Sequence, residues 1–134
     1  MKANELMVGD YVLYDGLILE VGGLTDYDIK IDLLKGNEIY AQFWDEDMDN
    51  IQGIPITPEI LEKNGFINYG ETWYVPADTD GNHIMVGFHR HETIFEIYKK
   101  HIFSFRKDYE PGEAFVHELQ HALRLCGIDK EIIV

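Results

Sequence analysis

Turn dipeptides set the rhythm of this chain. Asp15-Gly16, Gly22-Gly23 and Gly36-Asn37 recur between short runs rich in β-branched and aromatic residues, and Asp80-Gly81 repeats the pattern further on. Glycine, aspartate and asparagine accept the backbone conformations of tight hairpins, so this spacing confines the first third of the chain to short antiparallel strands. Residues 28–33 alternate polar and apolar side chains, as a strand buried on one face requires.

Four or five short strands of this kind predict a small curled β-barrel over residues 1–53. Val8-Gly9-Asp10-Tyr11-Val12, followed by Gly16 and Val21, resembles the entry strand of SH3-like and KOW-type modules. Thr57 and Pro58 then form a helix start, with a capping hydroxyl and a proline where its missing N–H is harmless, and Asn64-Gly65 ends that helix. The runs 66–69, 72–75, 83–88, 94–98 and 102–105 predict a β-meander. One amphipathic helix, roughly 112–126, follows and is closed by Gly127. The expected fold is α+β, with an SH3-like unit at 1–53 and a helix–meander–helix unit at 54–134.

Composition narrows the function classes. The chain has 134 residues, 46% of them hydrophobic, which is too apolar for a disordered acidic tail. No run reaches the roughly 18 apolar residues of a membrane span, and Met1-Lys2-Ala3-Asn4-Glu5 lacks the apolar segment of a secretory signal. One cysteine, Cys126, admits no internal disulfide and fits the cytoplasm; on the apolar stripe of its helix it is expected to be a buried, inert thiol. A formal charge of -14 disfavours nucleic acid and anionic membrane as partners. The charge is uneven: residues 1–53 hold 12 acids and 3 bases, residues 54–134 hold 13 and 8.

The sharpest chemical motif is His117-Glu118-Leu119-Gln120-His121. On a helix, H-E-x-x-H sets two imidazoles one turn apart to share a zinc ion, with the glutamate as general base, and resembles the active-site helix of zinc metallopeptidases. At about 100° per residue, Phe115, Val116, Leu119, Ala122, Leu123 and Cys126 form the core stripe, and His117 and His121 lie opposite it, facing a cleft or water. Catalytic zinc needs a third protein ligand. Positions 124 and 127 hold Arg124 and Gly127, not the glycine and histidine of the metzincin extension, while Asp129 and Glu131 lie too close to serve as a remote glutamate. A third ligand must come from His83, His89, His91 or His101.

Other clusters have simpler readings. His89-Arg90-His91 could chelate a metal across one strand face but fits a polar hairpin end. Residues 45–50 begin like a calcium loop but offer Asn50 and Ile56 where glycine and glutamate are required, so they read as a solvated acidic loop. Tyr11, Tyr14, Tyr40 and Trp44 fit a core or a ligand groove.

Three stretches together carry a family likeness: residues 1–6 with Gly9 and Tyr11-Val12, residues 51–61 with Gly65-Phe66, and Val116-His117-Glu118-Leu119-Gln120. With these the chain is similar to a group of small proteins from phages and mobile elements of gut bacteria. That family brings no activity, cofactor or catalytic residue with it. Its C-terminal motif reads Val-His-x-Leu-Gln-Asn, from which His121 departs. The resemblance implies a structural use of the motif, with Val116 and Leu119 anchoring the helix and His117 and Gln120 beside that stripe. The expected function is a non-catalytic interaction or accessory protein that binds a protein partner and can self-associate. The alternatives are a zinc hydrolase built on His117, His121 and Glu118, and an acidic decoy that mimics nucleic-acid phosphates.

Overall fold

The computed structural model describes residues 5–24, 30–44, 49–75, 81–89, 92–99, 102–110, 112–128 and 130–134. It has an α+β fold of two antiparallel sheets and two helices, divided into compact units Met1–Ile54 and Pro55–Val134.

The first unit holds β1 (Tyr11–Tyr14), β2 (Leu17–Leu24), β3 (Lys30–Lys35) and β4 (Glu38–Trp44), hydrogen-bonded in sequence order. Asp15 and Gly16 both have positive φ, 53° and 71°, which makes the two-residue turn between β1 and β2 twist with its strands. Leu19 and Val21 on β2 and Ile31 and Leu33 on β3 point to one face, where they bury with Leu6, Val12 and Ile51. At Gly22 the β2–β3 register shifts, and a Cβ there would overlap the Leu34 side chain. Asp10 is buried at the entry to β1: its carboxylate accepts the Met7 amide at 2.8 Å, while its backbone carbonyl accepts from Val21.

This sheet is not the barrel expected from the sequence. No ladder joins β1 to β4 among the described residues, and closure requires one. The outer edge of β1 is instead taken by Gln52, through Leu13 N–H to Gln52 O at 2.8 Å and the reciprocal bond at 2.9 Å. Gly53 and Pro55 follow at once, too close for that bridge to grow into a fifth strand. Side chains span the gap where hydrogen bonds do not: the Tyr14 ring meets Phe43 at 4.8 Å and Tyr40 at 6.4 Å.

The second unit begins with α1 (Pro58–Lys63), whose first turn is capped by the Thr57 hydroxyl accepting from the Ile60 amide. The strands β5 (Ile67–Tyr69), β6 (Thr72–Val75), β7 (His83–His89), β8 (Glu92–Lys99) and β9 (Ile102–Tyr109) pair in that order. Val75, Ile84, Val86, Phe95 and Ile97 supply the buried face. The last helix, α2, runs Val116–Leu125, four residues shorter at its start than its periodicity suggests. The residues before it are used in extended pairing: Ala114 accepts the Ile56 amide at 2.9 Å, and Phe115 bridges Pro55. Gly127, at φ 67°, closes α2, with its amide bonded to Arg124 and that of Ile128 to Leu123. Asn64, buried at the end of α1, donates to Ile60 O and Ile133 O and accepts the Ile133 amide, all at 2.7 Å. It thereby clamps residue 133 to α1.

Candidate functional site at the C-terminal helix

Helix α2 carries the HELQH segment alongside β8 and β9. Its buried residues are Val116, His117, Leu119, Gln120, Ala122 and Leu123, a wider arc than the apolar stripe alone. His117 is only 4% exposed, which overturns its expected place opposite the core. In the first turn its ring lies nearly parallel to that of Phe115, 5.7 Å away and tilted by 18°, so aromatic packing draws it in. His121, one turn on, is half-buried, and the two imidazole centroids are 5.7 Å apart at 66°. Gln120, expected beside the stripe, is buried as well.

Glu118 is held by the fold on three sides. Phe115, the N-cap residue, has no side-chain oxygen to offer the first turn, so capping falls to Glu118, whose Oε1 accepts the Phe115 amide at 3.3 Å. Its Oε2 lies 3.8 Å from Lys107 Nζ. Burial first, and the neighbouring Glu118 carboxylate second, push the Tyr109 phenol well above its ordinary range. Lys107 sits over the Tyr109 ring, 4.7 Å from its centroid, and Phe95 meets the ring edge-on at 5.1 Å. Together with His121, Ile97, Ala122 and Leu125 these residues line a shallow groove of about 220 Å³. Lys107 and Tyr109 escape sequence reasoning as partners of the motif. The one signal is their i, i+2 spacing on β9, which puts both on one strand face.

Two of the proposed third ligands, His83 and His89, are described, and each is engaged in a different pairing. His83 stacks flat on Tyr98, 4.5 Å away at 4°, across the β7–β8 pair, and its buried Nδ1 has no hydrogen-bond partner among the described residues. His89 Nδ1 pairs with Glu71 Oε2 at 2.9 Å on the surface. His91 and His101 lie outside the described residues. Among the described residues, no group of three His, Cys, Asp or Glu side chains could hold a metal ion.

Of the other candidates, residues 45–48 of the acidic loop lie outside the described residues, while Asp49 and Asn50 are exposed. Tyr14 packs on the first unit's core, and Tyr40 reaches out to donate to Asp15 at 3.1 Å. Tyr11 is half-buried, and the side chain of Trp44 lies outside the description. Cys126 is buried. No described helix is long and apolar enough to cross a membrane. No family model, curated protein or solved structure matches the chain.

Proposed function

We propose that this chain is a non-catalytic interaction protein, an accessory factor of a phage or mobile element, that works by holding a protein partner. One observation carries the reading: the carboxylate that a zinc hydrolase needs as general base has a structural role in its own helix, as the acceptor that caps the first turn. Glu118 caps its own helix through Oε1, turns Oε2 towards the Lys107 ammonium group and lies beside the Tyr109 phenol. The charge of -14 supports a partner with a basic surface over any polyanion. A single thiol suits a reducing compartment such as the cytoplasm.

Metal analysis of protein purified without a histidine tag tests the reading. We expect zinc well below one equivalent, with the same trace in His121→Ala. Stoichiometric zinc that disappears in His121→Ala overturns the proposal in favour of the hydrolase.

A further inference from the structure

A sheet edge exposes a row of unpaired N–H and C=O groups, and natural proteins shorten, charge or cover such edges to prevent unwanted pairing. Three of the four edges here are managed in this way. The β1 edge is bridged by Gln52. Strand β5 is three residues long. Strand β9 carries Arg106, Lys107 and Asp108 in succession.

Strand β4 is neither short nor covered among the described residues, and its one charged residue, Glu38, stands at its start. It runs seven residues, Glu-Ile-Tyr-Ala-Gln-Phe-Trp, without lysine, arginine or proline, and leaves Ile39 57% and Tyr40 42% exposed. Among the described residues no strand pairs with its outer edge. Its one register shift falls at Tyr40, whose ring turns towards Tyr14 and Asp15. Beyond the shift Ala41, Gln42, Phe43 and Trp44 pair in step with Leu33, Asp32, Ile31 and Lys30. That leaves four regular residues with alternate backbone groups aimed outward.

We propose that β4 is a docking edge, onto which a partner adds an extended segment bearing lysine or arginine. The inference rests on the interaction reading above and names its surface and partner chemistry. Charge identifies the occupant. From Gly36 to Glu62 the chain has no basic residue, while Glu38 opens β4 and Asp45, Glu46, Asp47 and Asp49 follow it. A parallel copy in register sets Glu38 against itself, and a second copy in any register brings a Gly36–Glu62 segment that again holds acids and no basic residue. Like charges so placed across a strand pair are destabilising. An extended basic segment gains the main-chain ladder and the attraction together.

The test uses the full chain, isotope-labelled, and three synthetic peptides: alternating lysine and valine, alternating glutamate and valine, and the lysine peptide with its central valines replaced by proline. We expect the lysine peptide to slow amide exchange about ten-fold at alternate positions within residues 41–44, and the other two to leave it unchanged. In the double variant Glu38→Lys, Gln42→Lys, whose side chains are both exposed, binding weakens about ten-fold while the circular dichroism melt is unchanged. Binding of the lysine peptide without protection at 41–44, equal binding of the proline peptide, no binding, or dimerisation through β4 each overturns the proposal. These results are separable from the metal test: stoichiometric zinc refutes the interaction reading and leaves protection at β4 standing, whereas failure at β4 leaves the role of Glu118 untouched.

Discussion

Replacing Glu118 by alanine separates a structural carboxylate from a catalytic one. The substitution removes the acceptor of the Phe115 amide, a helix-capping bond of about 1 kcal/mol. It also removes the carboxylate beside the Tyr109 phenol; hydrogen bonds to charged groups contribute roughly 1.5–3 kcal/mol when buried, and for this half-buried phenol about 1 kcal/mol is expected. The Lys107 contact, at 3.8 Å and largely exposed, contributes at most a few tenths of a kcal/mol. The variant should therefore lose about 2 kcal/mol of unfolding free energy in urea, followed by circular dichroism. Glu118→Gln keeps a carbonyl for either donor and should lose about half as much. A double-mutant cycle with Tyr109→Phe isolates the phenol–carboxylate bond, with an expected coupling of about 1 kcal/mol. Additivity within about 0.3 kcal/mol refutes the reasoning. So does a gain in stability in Glu118→Ala, the sign expected when a strained active-site carboxylate is relieved.

Two further outcomes follow from the same unit. The raised phenol of Tyr109 keeps its proton in the native state at pH values where the unfolded chain releases it, above about pH 10. The native state then binds more protons, so its stability contribution, fully present below pH 10, is lost as pH rises towards the folded-state pKa. Urea titrations between about pH 8 and 11 should show a downward slope that is shallower in Tyr109→Phe, and an identical slope in the variant contradicts the assignment. Asn64→Ala should cost about 2 kcal/mol by removing three hydrogen bonds and should speed exchange of the Ile133 amide. Asn64→Asp, which faces two carbonyl oxygens with a carboxylate, should be less stable still at neutral pH and recover part of the loss on acidification.

Local rules carried much of the architecture. Asp15-Gly16 and Gly36-Asn37 turn where their backbone preferences demand, Thr57 and Pro58 start α1, and Gly127 stops α2. Long-range pairing was not legible. Whether four short strands close into a barrel depends on which chain reaches the edge of β1, and Gln52 carries no mark that it does so. The start of α2 lies later than periodicity implies because Ala114 and Phe115 use their backbone in extended pairing with Ile56 and Pro55. At the site, 3.6-residue periodicity assigns His117 to the outside, since a helical wheel reflects only apolarity; in the fold it is 4% exposed and lies nearly parallel to the Phe115 ring. Asn64 and Ile133 are 69 residues apart, and no local signal joins an asparagine to a backbone so distant.

That last link has a consequence for how the chain acquires its shape. Within each sheet every described strand lies next to its neighbour in sequence, so both meanders can zip up hairpin by hairpin, each step closing only a short loop. The Asn64 latch works on the opposite scale: α1 is made early in its unit but must wait for residue 133 before its buried amide finds its partners. During synthesis the second unit therefore passes through an interval in which the sheet can already exist while Asn64 still lacks two of its three bonds.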